Sequence, residues 1–555
     1  PPARRRRRGA RPCCCWRAAC GGRAPPVARA LRRGEHTVPP GRRRRRGVLR
    51  VARGRGLRPE PAPPGGAGHG VRQGVHGGVL VQPFEEPILS GLPSHQNGMY
   101  GLSQAPGNFQ SLAGVAGIPN LLNRAGYKTG IIGKYHVGPV QAYDFTYGLT
   151  AEHCWAGAIP PGGVGEICPS PRSDICEFSE RSPEAYSVVS RNITHMKLAA
   201  RQFLTAIEPE RPFFLYVGFG DGHRCAFEGA LGSFCEKFGS GLPGQGSIPD
   251  WSPRWFSADE VPVPWFLPDS EAVRLDIAAQ CTSVNRMDQG IGLILDELES
   301  SGHTNDTLVL FFSDNGSPLP SAKTNLYEQG QAEPLVVAAP GFPAGGTRSS
   351  AVVSSLDFVP TMLSWAGIEG ASPGVGEYSG SSLLPLLGRR APPPAWRNAA
   401  FGSHSFHSLY AYYPMRSVVT DRYRLVHNLV HGASYPVLED VYATRTWREL
   451  QRNGSAGEPT GWVYDFHAYL HRPEWELFDL RTDPRQQVNL ARRGGHERVM
   501  SELQDMLTTW RKRTGDPWLV CSEASTYGYC TGAELTAAAA AMPPPPSAPR
   551  AELVL

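Results

Sequence analysis

Apolar and polar positions along this chain follow two periods, one of strands and one of helices. Thr307-Leu-Val-Leu-Phe-Phe312 is an unbroken apolar or β-branched run, which predicts a strand buried on both faces. Pro212-Phe-Phe-Leu-Tyr-Val-Gly-Phe219, Tyr127-Lys-Thr-Gly-Ile-Ile132 and Glu333–Pro340 predict three more. Between them, Ile118–Gly126 reads as a short helix with Pro119 early and Gly126 closing it, and Met196–Leu204 as another. Val284, Met287, Ile291, Leu295 and Leu298 recur at helical spacing and predict a helix over 282–300, capped by Gly302. Strands alternating with helices predict an α/β fold with a mostly parallel sheet covered on both faces. Beyond Pro392-Pro-Pro394 the aromatic runs Tyr410–Tyr413 and Arg422–His427 read as strands, and Val499–Trp510 as a final helix. That suits a smaller α+β domain.

The predicted organisation has four parts. Residues 1–87 are rich in Arg, Pro and Gly and show no placeable strand or helix. Residues 88–395 form the α/β domain, in which 150–180 reads as an insertion with an odd trio of cysteines, Cys154, Cys168 and Cys176. Residues 396–530 form the α+β domain, and 531–555 a low-complexity tail with Ala and Pro runs.

Charge changes this picture only at the N-terminal end. Residues 1–60 hold 20 arginines and no lysine against Glu35 and Glu60, a net of +18, so the remainder carries −12 of the whole-chain +6. The basicity belongs to a short segment and the globular body is acidic. Arg4–Arg8 and Arg42–Arg46 have no lysines and no interleaved aromatics, which argues against a nucleic-acid partner. No stretch reaches the length of a membrane span. No secretory signal is readable, and the chain does not begin with Met, so the expected start is missing or altered.

Cys225/Cys235 and Cys521/Cys530 are close pairs in loop-like sequence, and two short-loop disulfides are expected. Asn192-Ile-Thr, Asn305-Asp-Thr and Asn453-Gly-Ser are glycosylation sequons. Together these favour a secretory or lysosomal compartment over the cytosol.

The chemistry gathers at strand ends, where ligands bind in open α/β sheets. After Phe312 come Asp314, Asn315 and Gly316. Two adjacent oxygen donors there suit Ca²⁺ or Mg²⁺, although an Asx turn is the blander reading. Lys134 and His136 stand at a second strand end and His223 at a third. Singly, these are a solvated lysine and structural histidines. Together they suit an oxyanion ester or amide: metal and lysine neutralise charge, and a histidine protonates the leaving group.

Gly126-Tyr-Lys-Thr-Gly-Ile-Ile-Gly-Lys134-Tyr-His136 resembles the second signature of the sulfatase family. Ser313-Asp-Asn-Gly316 resembles its metal motif, and Trp475–Pro484 with Asn489-Leu490 its C-terminal stretch. Gly91–Gly101, Phe219–Cys225, Thr324–Tyr327 and Tyr413–Ser417 look closer to the sulfatases that act on N-sulfated glucosamine of heparan sulfate. The resemblance runs from about residue 88 to about 530, apart from 150–180. It implies an alkaline-phosphatase-like α/β domain, one Ca²⁺, a formylglycine nucleophile made from a Cys, a heparan sulfate-derived oligosaccharide as substrate, a homodimer and a lysosomal location. By the same resemblance Asp314 and Asn315 match metal ligands. Lys134 matches a sulfate-contacting Lys and His136 the His beside the nucleophile. His223 matches the His near the leaving group, and Lys323 stands where the family has a basic sulfate-contacting residue.

Two departures stand out. The family's Cys-Ser-Pro-Ser-Arg should lie just before Gly91, where this chain has Val79-Leu-Val-Gln-Pro-Phe-Glu-Glu-Pro87 and no Cys. The family's early Asp-Asp metal pair is also absent. Codons that can specify Val79–Glu86 would, shifted by one base, encode Ser-Ser-Cys-Ser-Pro-Ser-Arg, and codons that can specify Gly41–Arg45 would encode Ala-Asp-Asp-Gly. The N-terminal region therefore reads as out of frame, in the gene model or in a disabled gene copy. The chain as written is expected to be inactive. The alternatives are a catalytically dead pseudo-sulfatase that binds sulfated glycans, or a related metal-dependent phosphodiesterase.

Overall fold

The computed structural model of this chain describes residues 47–52, 86–103, 107–149, 189–225, 232–342 and 346–519. Its main sheet has six strands: β1 (Gly47–Ala52), β2 (Lys128–Gly133), β3 (Tyr147–Leu149), β4 (Phe213–Gly218), β5 (Thr307–Phe312) and β6 (Leu335–Ala338). Their spatial order is β3-β2-β4-β1-β5-β6. Every neighbouring pair is parallel except β5 with β6.

Burial on both faces explains the unbroken apolar runs. Phe214 and Tyr216 of β4, with Leu308, Leu310 and Phe312 of β5, pack into one cluster. Phe213, Leu215 and Val217, with Val309 and Phe311, pack into another. Successive strand residues point to opposite faces, so both sets must be apolar when helices cover both sides. The first face is covered by α1 (Glu86–Ser90), α3 (Ile118–Arg124) and, later in the chain, Phe358–Ala366, which supply Ile88, Leu89, Ile118, Leu122, Phe358 and Met362; the short α2 (Ser94–Asn97) lies between the first two in sequence. The second is covered by α4 (Ile193–Thr205) and α5 (Glu271–Ser300), which supply Met196, Phe203, Met287, Ile291 and Leu295.

Two sequence expectations are corrected. The helix predicted over 282–300 begins at Glu271, because Val273, Ile277 and Cys281 continue its apolar face backwards and Ser270 caps it, accepting from the Val273 amide at 3.4 Å. The segment 1–87 also contributes a strand where none was placed: β1 lies in the middle of the sheet, hydrogen-bonded to β4 and β5. Gly-Val-Leu-Arg-Val-Ala is too short and too interrupted to announce itself, and the two neighbouring strands supply the pairing that a local reading cannot see. The 150–180 insertion and the 531–555 tail lie outside the described residues.

The later part carries a four-stranded antiparallel sheet in the order β10-β9-β8-β7. Its strands are β7 (Ala399–Phe406), β8 (Tyr412–Thr420), β9 (Tyr423–Asn428) and β10 (Trp475–Asp479). The helix α6 (Glu497–Arg513) lays Leu503, Leu507 and Trp510 against Val418, Leu425 and Leu477. Buried ion pairs tie this sheet to the α/β part. Arg424 of β9 meets Glu328 at 2.8 Å, and Arg397, just ahead of β7, meets Asp357 at 2.7 Å. Among the described residues no helix is long and apolar enough to cross a membrane.

Candidate active site

The parallel register sets three strand ends level. Gly133 of β2 and Ala52 of β1 both pair with Gly218 of β4, and Ala52 pairs with Phe312 of β5. The loops that begin at Lys134, Phe219 and Ser313 therefore leave from one edge. Gly133 makes the first turn possible: it has φ +88°, and a Cβ there would sit 2.2 Å from the Gly218 carbonyl oxygen. The Lys134 amide then donates to that same oxygen at 2.9 Å.

The edge brings the predicted residues together in two groups. Lys134 and Asp314 are both buried, with Nζ 3.8 Å from Oδ2. Asn315 stands beside Asp314 and donates its amide to the Gly316 carbonyl at 2.7 Å, which leaves the side-chain oxygen as its acceptor. His136, buried, follows Lys134 on the β2 loop. In the second group, His223 Nε2 lies 2.9 Å from Lys323 Nζ. His223 Nδ1 lies 2.7 Å from the Arg224 carbonyl, which can only accept, so Nδ1 carries the hydrogen and Nε2 accepts from the lysine ammonium.

Buried arginines hold these loops. Arg224 donates to the Pro318 carbonyl at 2.9 Å and pairs with Asp276 of α5, which links the β4 and β5 loops to that helix. Arg191 donates to the His223 carbonyl at 3.2 Å and pairs with Asp221 at 3.2 Å. Asp221 is in turn gripped by Arg286 of α5.

One polar member was not legible in sequence. Asp440 lies in the short helix α7 (Glu439–Tyr442), deep in the later part of the chain, and accepts from Lys323 Nζ at 2.7 Å. Burial pushes its carboxyl up, but the Lys323 ammonium at 2.7 Å more than offsets this and holds it below the usual carboxylate range. Burial pushes the His407 imidazole down to about 3, with Lys323 adding to the effect, so it is neutral. Pro436-Val-Leu-Glu-Asp-Val441 carries no local motif, and only tertiary contact reveals Asp440.

Cys225 and Cys235 are disulfide-bonded, as expected. Cys281 of α5 is also disulfide-bonded, which was not expected. Cys521 and Cys530 lie outside the described residues. Asn305 is exposed in the turn before β5 and Asn453 is half-buried on the helix Arg445–Ser455. Asn192 is nearly buried and caps α4, accepting from the His195 amide at 3.2 Å.

The donor set is short for a cation of the Ca²⁺ type. Such an ion takes about six to eight oxygens, and the described residues bring the Asp314 carboxylate and the Asn315 carbonyl. No group of three or more His, Cys, Asp or Glu side chains that could hold a metal occurs among the described residues. The formylglycine precursor has no match either, because no Cys occurs between Cys20 and Cys154. No step is derived through either group.

Lysine–carboxylate and histidine–lysine pairs thus stand at the C-terminal edge of the mostly parallel sheet of an alkaline-phosphatase-like α/β fold. The sulfatase family model matches residues 68–368, and the model for the N-sulphoglucosamine sulphohydrolase C-terminal region matches residues 322–442. The chain belongs to the sulfatase family. It is similar to human N-sulphoglucosamine sulphohydrolase, 44% identical over 447 residues, covering 79% of this chain and 82% of that protein. N-acetylglucosamine-6-O-sulfatase of Bacteroides thetaiotaomicron is 24% identical over 496 residues, 79% of each chain. Among solved structures, a 2-O GAG sulfatase aligns with TM-score 0.52 at 17% identity, over 86% of this chain and 94% of that one. A structure in complex with D-glucosamine-2-N,6-O-disulfate aligns with TM-score 0.50 at 18% identity, over 79% and 90%. These structures share the fold.

Proposed function

We propose that this protein descends from, and in frame acts as, a sulfatase that hydrolyses the N-sulfate of glucosamine residues in heparan sulfate. The observation that carries the reading is the His223–Lys323 pair beside the Lys134–Asp314 pair at one sheet edge. A sulfamate presents a dense anion and a poor nitrogen leaving group. Lysine charge at the edge offsets the anion, and the proton shared by Lys323 and His223 meets the nitrogen. The 44% identity to human N-sulphoglucosamine sulphohydrolase supports this substrate class over an O-sulfate. Ca²⁺ at Asp314 and Asn315, a lysosomal location, glycosylation at Asn192, Asn305 and Asn453, and a homodimer belong to the same proposal.

The chain as written lacks the nucleophile's Cys, and a second reading follows: a pseudo-sulfatase that holds a sulfated glycan without turnover. Sequencing the transcript across residues 1–90 and assaying both versions on an N-sulfoglucosamine substrate tests this. Turnover by the in-frame version alone is expected. Turnover by the chain as written would overturn both the frame argument and the nucleophile assignment.

A further inference from the structure

We propose that Asp440 is the positioning residue of this site, holding Lys323 against His223 so that the three act as one proton-sharing unit. The inference rests on the function proposed above and names the residue that governs its acid.

A lysine ammonium has three hydrogens to give. In Lys323 one goes to Asp440 Oδ2 at 2.7 Å and one to His223 Nε2 at 2.9 Å. Lys323 and Asp440 are both buried, at 4% and 6% exposure, whereas the His223 side chain is 32% exposed. Only the histidine end of the unit meets the outside. Its tautomer is set by the Arg224 carbonyl, so Nε2 has no hydrogen of its own and the proton it can offer is the one supplied by Lys323.

Asp440 is placed for this task and not for stability. Its Oδ1 is buried and has no hydrogen-bond partner among the described residues. Leaving a carboxylate oxygen buried and unsatisfied is destabilising. A carboxylate is also out of place in a site that only clamps an anion, because it cancels the charge of the lysine meant to attract it. Both costs make sense if Asp440 holds the Lys323 ammonium aimed at His223. The pair also bridges the two parts of the chain, Lys323 on the β5 loop and Asp440 on α7 beyond the second sheet's first three strands.

Two measurements on the full chain test this, with Asp440→Asn and Asp440→Glu compared with the parent. The first reads the His223 imidazole by nitrogen and carbon NMR. The parent is expected to show hydrogen on Nδ1 and an Nε2 resonance shifted by its hydrogen bond from Lys323, Asp440→Asn the same tautomer with that Nε2 shift reduced, and Asp440→Glu the parent pattern. The second measures inorganic sulfate affinity by calorimetry. Asp440→Asn is expected to bind sulfate roughly tenfold more tightly, since a facing negative charge is removed. A purely structural role would weaken binding. An unchanged Nε2 resonance in Asp440→Asn, or sulfate affinity equal to or weaker than the parent's, would overturn the proposal. If Asp440→Asn does not fold, Lys323→Met replaces it in the NMR measurement, where an unchanged His223 signal is equally fatal. A parent chain that binds no sulfate overturns the function reading, and the NMR arm still decides the role of Asp440.

Discussion

Asp314 sits 3.8 Å from Lys134 with both side chains nearly excluded from water. The pair explains how a buried carboxylate is tolerated here. Under the proposed Ca²⁺ assignment, the cation would share Asp314 with the lysine. In an in-frame protein Asp314→Ala is expected to abolish turnover and the Ca²⁺-dependent rise in melting temperature. An unaltered calcium titration of melting would remove Asp314 from the metal site. A second residue-scale prediction concerns Asp288 of α5, whose carboxyl burial pushes up to about 6. A carboxyl with a raised folded-state pKa contributes stability below its unfolded pKa near 3.8 and loses it as pH rises through about 6. Asp288→Asn is therefore expected to melt higher than the parent at pH 7.5 and the same at pH 4, by about 1–3 kcal/mol at the higher pH. Equal melting differences at both pH values would show that Asp288 is not the titrating group. At this scale Asp314, Lys134, His136 and His223 were legible because each follows a recognisable buried strand. Asp440 was not, because its neighbours are supplied by residues more than a hundred positions away.

The elements are robust where one face or two are clearly apolar. β5 spans the residues its apolar run predicts, Thr307–Phe312, and its side chains divide between two cores. Phe311→Ala is expected to lower stability by about 3–5 kcal/mol, as for other large-to-small changes in a packed core. Denaturant unfolding checks this, and a loss under about 1 kcal/mol would show that the second face is poorly packed. The turn after β2 is the more sensitive point for function. Gly133→Ala meets a backbone oxygen at 2.2 Å and takes an L residue to φ +88°, so it is expected to lose at least about 2 kcal/mol and to misplace Lys134. Helix α5 was legible only in its C-terminal two-thirds, because Asp276 and Gln280 are buried polar residues that blur the stripe in its first third. Asp276 and Arg286 are also the groups that hold Arg224 and Asp221, so the blur marks the support of the site.

For the whole molecule, the Cys225–Cys235 bond closes the loop that follows the His223 segment. Replacing both cysteines by serine is expected to cost about 2–3 kcal/mol, with peptide mapping under non-reducing conditions confirming the parent linkage. Composition, periodicity and motifs by themselves determined the α/β class, most of its buried strands and the candidate polar residues at their ends. They could do so because a strand covered on both faces has to be apolar throughout and a loop residue directly beyond it has to lie at the edge. What only the tertiary structure decided is which of those edge residues touch. The pairing of Lys134 with Asp314 and of His223 with Lys323, the seat of β1 between β4 and β5, and the reach of Asp440 into the site all depend on strand order and on packing between the two sheets. Those contacts join residues far apart in the chain, and local sequence holds no physical record of them.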